Sequence, residues 1–401
     1  MDSSTSESIT FLNAQLGFLD THVALIYIPL EAYPLFLQAI SQLLLRNELV
    51  DDDGQAIKPG RPWHFWHPFV NISVTESECS VVCPRKEADE LFAPILACMN
   101  PAVRDTVSIS KEDYSVITIG GEGLDAGQRV LDLTTPLAMT GISIYFITSY
   151  WSDFILVPLK ARTRVINTLE DRGFVFEADS NSEAGHMINP ASPLLNSHHG
   201  PCSSTSSTTS SSPTSPTPPS PKTTTISTTT TEQKPPSFHP TTSTTPLLPK
   251  INRQILLVTC AGIKETTPTT LATNFTQGKL QLGLLKCLTL RPTPRFFSLT
   301  LTNTESASIT LEKSLLHLFY HDGEDLLLGK DGPAQVPISF DLRVLPAEST
   351  GVVCGVEGRL IEGLRGGGDA GGVGLNVSYL STVGAGHVIV YEDELDGLLA
   401  G

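Results

Sequence analysis

The sequence is poor in the features that mark most classes of function. Basic residues are scarce: 26 Lys and Arg stand against 42 Asp and Glu, a formal net charge of −16. A chain this short of positive charge is repelled by phosphate backbones and by anionic lipid, so no nucleic-acid partner is expected. No window approaches the roughly 18 apolar residues of a membrane span, so no membrane insertion is expected. The opening Met1-Asp2-Ser3-Ser4-Thr5 lacks the basic n-region of a secretory signal, and a cytoplasmic location is expected. Cysteines number seven, an odd and scattered set without a disulfide framework, and without export they read as reduced thiols. Cys79 and Cys83 could share a strand face, but no second Cys or His pair follows at zinc-ligand spacing, and no metal site is expected. No G-x-S-x-G, H-E-x-x-H, DFG or paired-carboxylate pattern is present. The expectation is a protein without catalytic residues and without a cofactor.

What the chain does hold is apolar patterning, with 40% hydrophobic residues over 401 positions. His22–Ile28 reads as a strand, and Pro29 precedes Leu35, Phe36, Ile40, Leu43 and Leu44 at helical spacing. Phe69–Cys83 reads as a hairpin turning near Glu76-Ser77-Glu78, and Arg85–Met99 as a helix broken at Pro94. Tyr114–Ile119 is a strand and Gly127–Met139 a helix ended by Gly141. Gly141–Pro158 is a strand, turn and strand, and Lys160–Arg172 a helix with Gly173 at its C-cap. Phe174–Phe176 closes the set. This order is a ferredoxin-like βαββαβ unit used about twice.

Residues 179–250 change character. Ser, Thr and Pro dominate, little can be buried, and the stretch reads as a disordered linker. Beyond it the first half recurs. Phe69–Phe92 aligns without a gap to Phe296–Phe319 at an offset of 227, and Gly141–Val157 aligns to Gly374–Val390 at an offset of 233. Gln254–Thr259 is the matching strand, Thr269–Leu285 the matching helix, and Phe296–Thr310 the matching hairpin. Val352, Val356, Leu360 and Leu364 form a helix stripe before a glycine-rich insertion at Arg365–Gly372. The duplication predicts a pseudo-twofold molecule.

Binding features outnumber catalytic ones. Gly121–Gly127 links a strand to a helix, where backbone N–H groups can hold a carboxylate. Asp132 and Asp153 lie at the same predicted sheet edge, where they pair with a ligand cation or remain solvated. His64, His67 and His387 have no visible catalytic partners, and packing is the preferred reading. Asn71, Asn274 and Asn376 head formal glycosylation sequons, without meaning in a cytosolic chain.

Gly127 followed by Pro136-Leu137-Ala138-Met139-Thr140-Gly141-Ile142-Ser143-Ile144 resembles the ACT-domain pattern. Ser149-Tyr150 with Asp153-Phe154-Ile155-Leu156-Val157, and Phe296-Phe297-Ser298-Leu299-Thr300, resemble the CASTOR proteins, cytosolic arginine sensors of the TOR kinase pathway. The resemblance covers both halves. It implies an α+β protein of tandem ferredoxin-like βαββαβ (ACT) units, four in two pseudo-symmetric halves. The boundaries would be 1–18 for a disordered N-terminus, 19–178 for the first half (units about 19–105 and 112–178), and 251–401 for the second (units about 251–325 and 338–401). It implies an amino-acid ligand, arginine or another, held between the second and fourth units, a homodimer, and contact with a signalling complex of the GATOR type. Carried over by alignment, the ligand contacts fall on Asp132, Leu133, Pro346, Ser349, Thr382 and Val383, and the family's ligand-binding aspartate falls on Gly386. Glu348 or Asp132 is the candidate to replace the missing acid. The pseudo-symmetric turn keeps its acid, giving Ser149, Tyr150 and Asp153 as a second candidate set. Two other readings stay open: a regulatory ACT subunit of an amino-acid biosynthetic enzyme, and a ligand-free scaffold.

Overall fold

Val23-Ala24-Leu25-Ile26-Tyr27-Ile28 has no polar face, as expected of a strand covered on both sides. It forms the second part of β1 (Gln15–Pro29) in a computed structural model. That structure describes residues 15–45, 49–50, 56–57, 65, 67–120, 126–177, 247–263, 270–321, 323–346, 349–356, 358 and 377–396. The remaining strands that matter here are β2 (Val70–Thr75), β3 (Glu78–Pro84), β4 (Tyr114–Gly120), β5 (Tyr145–Thr148) and β6 (Asp153–Pro158). In the second half they are β7 (Leu257–Gly262), β8 (Phe296–Leu301), β9 (Ser308–Glu312), β10 (Gln335–Asp341), β11 (Ser378–Ser381) and β12 (Ala385–Tyr391). The longer helices among the described residues are α1 (Tyr33–Leu45), α2 (Ala126–Met139), α3 (Arg162–Glu170) and α4 (Thr270–Thr289).

The strand order β2–β3–β1, with Ser108–Ile109 antiparallel on the far side of β1, is that of a βαββαβ unit. How the sheets of the four expected units join was left open by the sequence. All these strands belong to one 16-stranded sheet, and pairing of β10 with β7 closes it on itself. The order round the ring is β2–β3–β1–β4–β6–β5–β11–β12–β10–β7–β9–β8 and back to β2. Closure satisfies backbone groups that edge strands would leave bare. β1 makes the fusion possible. Val23–Pro29 pairs with β3, while Gln15–Val23 pairs with β4 across a register shift between Phe18 and His22. The strand therefore starts at Gln15, and residues 15–18 do not belong to a loose N-terminus. Leu16 is fully buried, Phe18 stacks on Phe176 at 5.3 Å, and the Arg162 guanidinium lies 4.1 Å from the Phe18 ring. The polar residues Asp20 and Thr21 interrupt the apolar pattern and hide this extension from the sequence.

Two self-equivalent pairs join the halves. Ile72 on β2 faces Leu299 on β8, 227 residues later, and Ile147 on β5 faces Leu380 on β11, 233 residues later. These are the two offsets of the sequence repeat, so a local twofold axis passes through each seam. The register also amends the gap-free alignment. Ser73 pairs with Ser80 and Thr300 with Ser308, so the second hairpin turn holds Asn303, Thr304 and Glu305 where the first holds only Glu76 and Ser77. Beyond the turn Ser80 therefore corresponds to Ser308, and Glu78 to Ser306 rather than to Glu305.

Three apolar clusters hold the sheet. α1 and α4 cover one, with Phe36, Ile40, Leu43, Leu44 and Leu284 among its buried residues; the Tyr33 hydroxyl donates to Leu288 O at 2.7 Å. Each such side chain contributes about 1.5–3 kcal/mol relative to exposure. α2 and α3 cover the second, and the third lies on the opposite sheet face around Phe69, Phe154, Phe296 and Leu380. Several element bounds differ modestly from expectation. α4 runs to Thr289, and α3 is preceded by a 3-10 turn at Leu159–Ala161. The irregularity in the helix after β3 is a π-turn at Ala88–Phe92, just ahead of Pro94, which sits harmlessly in the first turn of Ala93–Cys98. Leu247 onward is described, with Lys250–Ile251 paired to β10, so the structured second half begins before residue 251. Residues 179–246 of the expected linker, most of Gly121–Gly127, and Leu360, Leu364 and the glycine-rich insertion lie outside the described residues.

Candidate functional site

α2 ends where its sequence dictates. Gly141 takes φ +69°, Gly141 N donates to Ala138 O at 3.0 Å, and Ile142 N donates to Leu137 O at 2.9 Å. A non-glycine residue is strained at that φ, and the reversal aims Ser143–Tyr145 at the second half. There the Ser143 hydroxyl donates to Ser349 O at 3.2 Å. Gly351, at φ +76°, lets the returning chain approach α2; a Cβ on it would lie 3.4 Å from Ala138 Cβ.

Between these segments lies a cavity of about 370 Å³. The first half contributes Thr134 and Ala138 of α2 and Ile142–Tyr145. The second half contributes Leu342–Pro346 in part, Ser349, Gly351–Cys354, Tyr379, the turn at Ser381–Val383, and Gly386.

The wall from β11 and β12 is fixed by the first half. Phe146 N donates to Ser381 Oγ, and Tyr379 N to Thr148 Oγ1, both at 3.0 Å, a symmetric exchange that extends the short β5–β11 ladder. Val383 N donates to Ser80 Oγ at 3.2 Å and Gly384 N to Glu78 Oε1 at 2.9 Å. The other turn is held the same way: Tyr150 N donates to Ser308 Oγ at 2.8 Å. Burial raises the Glu78 carboxyl above the usual carboxylate range, against the lowering influence of the Gly384 N–H and Arg343.

Arg343, on the cavity wall, is bound by Asp341: Nε to Oδ1 at 2.9 Å and Nη2 to Oδ2 at 2.6 Å. The hydrogen bond from Arg343 holds the Asp341 carboxyl below its usual range, and Asp341 in turn holds the guanidinium charged. Cys354 Sγ donates to Gly351 O, and burial pushes its thiol pKa up, so it stays neutral.

Of the residues singled out from sequence, Pro346, Ser349, Thr382, Val383 and Gly386 line this cavity. Leu133 does not; it is fully buried in the core beneath α2. Asp132 is half-buried on α2 and also off the cavity wall. Thr134 and Ala138, four residues apart, form the helix face that does the lining, and a helix turns by about 100° per residue, so the alignment chose the adjacent faces. Glu348 lies outside the described residues. Ser149 accepts from Trp151 N at 3.2 Å and Ser152 N at 3.1 Å, which closes its own turn. Tyr150 packs against Gly329, and Asp153 is buried opposite Ile119 and Thr148. None of these three reaches the cavity.

Thr134, Ser143, Arg343 and Gly351 were not singled out from the sequence. Gly141 and the Ile-Ser-Ile run were the only signals near them. His67 and His387 are both buried, as packing residues would be, and His64 lies outside the described residues. Asn71 is buried and donates to Ser298 Oγ and Thr300 Oγ1 across the β2–β8 seam, so its sequon is structural. Cys79, Cys83, Cys260, Cys287 and Cys354 are buried free thiols, and Cys98 is exposed. Among the described residues no helix is long and apolar enough to cross a membrane.

The family model of the ACT domain matches residues 109–171, the stretch from just before β4 to the end of α3. The chain thus contains an ACT-domain segment, and one wall of the cavity belongs to it. No curated protein sequence matches the chain at a significant level. Among solved structures, an aspartate kinase from Synechocystis is 11% identical with a TM-score of 0.32; the likeness covers 100% of this chain and 57% of the kinase chain. The regulatory subunit of aspartate kinase from Thermus thermophilus is 17% identical with a TM-score of 0.24, covering 38% of this chain and 94% of the subunit. The protein Atu0741 from Agrobacterium tumefaciens is 18% identical with a TM-score of 0.27, covering 43% of this chain and 98% of the other. None of these scores reaches the level at which a shared architecture follows.

Proposed function

We propose that this protein is a non-catalytic regulatory protein that binds a free amino acid in the cavity between its halves. The ACT segment supports an amino-acid-sensing role. The observation that carries the reading is that both halves build the cavity, with α2 and Ile142–Tyr145 on one side and Leu342–Cys354 and the Thr382 turn on the other. A ligand touching both walls favours their docked arrangement over any other, and the differential affinity is the whole of the signal. In this reading the two halves are four ACT units, the second and fourth holding the ligand. The pairing of β1 with β4 and of β10 with β7 would then be what fuses the units into one sheet.

Pro346, Ser349, Thr382, Val383, Gly386 and Glu348 are the proposed contacts, with Asp132 and Leu133 supporting the wall from behind or beside it. Ser149, Tyr150 and Asp153 are proposed to stabilise the twofold-related turn. The resemblance to arginine sensors of the TOR pathway extends the reading to a cytoplasmic homodimer that contacts a complex of the GATOR type. Calorimetric titration of the full chain with each of the twenty amino acids tests the core of it. Saturable heat from at least one at millimolar concentration or below is expected, and silence from all twenty overturns it. Co-purification from cells decides the partner: a signalling complex agrees with the extended reading, whereas a biosynthetic enzyme replaces it.

A further inference from the structure

We propose that Glu78 is a positioning residue for the amino-acid cavity: from the first half it holds the Thr382–Gly384 turn of the second half in the shape that lines the cavity. This inference rests on the binding reading above and goes further, to a residue that is not itself on the cavity wall.

Two amides of that turn lean on one strand. Val383 N donates to Ser80 Oγ and Gly384 N to Glu78 Oε1, and both acceptors stand on the same face of β3, two residues apart. Glu78 is fully buried. Gly384 carries the restraint onward: its carbonyl accepts from Leu342 N at 2.9 Å, and Leu342 lines the cavity, as do Thr382 and Val383. The fit is close. A Cβ on Gly384 would collide with Glu78 Oε2 and lie 3.2 Å from Arg343 Cδ, so the carboxyl packs directly on the backbone of the turn.

The twofold-related turn shows that this support is particular to the cavity. Both turns close alike, Ser149 N donating to Ser152 O and Thr382 N to Ala385 O, each at 2.9 Å. The first turn then satisfies its own amides: Ser149 Oγ accepts from Trp151 N and Ser152 N. In the second, Thr382 takes the place of Ser149, but its hydroxyl donates to Ala385 O, and Gly384 N, the counterpart of Trp151 N, goes to Glu78. The counterpart of Glu78 is Ser306, which accepts from the Trp151 indole Nε1 at 3.1 Å, a side-chain contact. A serine hydroxyl ends two bonds short of a glutamate carboxyl oxygen, so the longer residue is what spans to Gly384 N. Burying an acid is unfavourable. Yet the acid stands behind the turn that lines the cavity, and a serine behind the turn that does not.

The test is calorimetric titration of the full chain with each of the twenty L-amino acids, as wild type, Glu78→Ala, Glu78→Gln and Ser306→Ala, with urea denaturation of each to compare stability. Glu78→Ala is expected to weaken binding of any amino acid that the wild type binds by about tenfold or more, the scale of one hydrogen bond to a charged group. Glu78→Gln keeps an acceptor for Gly384 N and is expected to restore affinity to within about threefold of wild type. Ser306→Ala is expected to lower stability and leave affinity unchanged. If Glu78→Ala binds as tightly as wild type, if glutamine fails to restore affinity, or if Glu78→Ala and Ser306→Ala weaken binding alike, the inference fails while the binding reading stands. If Glu78→Ala does not fold, Glu78→Asp carries the same test, because it withdraws the carboxyl by one methylene, and undiminished affinity there overturns the inference. If no amino acid binds the wild-type protein, both fail.

Discussion

Ile72 stands directly across the sheet from Leu299, the residue 227 positions later in the chain. A residue facing its own repeat equivalent marks a twofold axis, and Ile147 facing Leu380 marks it again at the opposite seam. The two halves are therefore not beads on a string. Each completes the other's sheet, and the cavity sits beside the second seam.

Equivalent truncations at the first seam should cost alike. Ile72 and Leu299 are both fully buried in the same core cluster. Ile72→Ala and Leu299→Ala should each destabilise by about 2–5 kcal/mol, within about 1 kcal/mol of each other. Urea denaturation of the two variants checks this, and a large asymmetry would refute the equivalence of the two halves at this seam.

The turns depend on serines lent by the opposite half. Ser80 accepts from Val383 N and Ser308 from Tyr150 N. Ser80→Ala should cost about 1 kcal/mol and loosen the cavity wall, weakening amino-acid binding. Ser308→Ala should cost a similar amount of stability and leave binding unchanged, because its turn lies away from the cavity. Denaturant melts paired with calorimetry separate the two effects.

His387 takes the place that Phe154 holds in the first half. Phe154 tilts against Phe69 at 5.0 Å, and His387 meets Phe296 edge-on at 5.4 Å. Its Nδ1 lies 2.9 Å from Ser339 Oγ, while burial of the ring lowers its pKa to about 4. The unfolded chain binds the proton more readily than the folded one between about 4 and 6.5, so stability rises with pH through that window and is lost as pH falls. Wild-type protein should lose about 2 kcal/mol at pH 5 relative to pH 8 through this group. His387→Phe should remove that loss, read as a smaller shift of the urea midpoint between the two pH values.

Glu78 acts in the opposite direction. Burial raises its pKa above the unfolded value, so the folded state holds the proton more tightly, and stability falls as pH rises past the ordinary carboxylate range. Glu78→Gln keeps an acceptor for Gly384 N and removes the charge. Its stability relative to wild type should grow as pH rises from about 4.5 toward neutrality, by thermal melts across that range. A methyl group on Gly384 would collide with Glu78 Oε2, so Gly384→Ala should be destabilising by about 1–3 kcal/mol.

Most of the secondary structure was legible because local patterns dictated it. The apolar run Phe154–Val157, the helical spacing of Phe36, Ile40, Leu43 and Leu44, and the glycine stop at Gly141 each act within a few residues, whereas Ile142–Ile144, whose alternation reads as strand, precede β5 and line the cavity instead. The repeat was legible too, since both offsets survive in the paired registers. The site was legible only in part. The turn residues Thr382 and Val383 and the loop residues Pro346 and Ser349 lie on the cavity wall, whereas Leu133 packs into the core and Asp132 lies to one side. Helix rotation, which distinguishes Leu133 from Thr134, depends on what packs beneath the helix rather than on the helix's own sequence.

The sequence by itself determined the α+β character, the duplication and the want of charge at Gly386, because composition and periodicity are properties of single segments. Only the tertiary structure decided that Gln15–Phe18 continues a strand, that the halves close into one sheet, and that Arg343 faces the cavity. Those outcomes rest on pairing between residues far apart in the chain, such as Leu16 with Ile119, Leu257 with Gln335 and Ile72 with Leu299, whose energy appears only when both partners are in place.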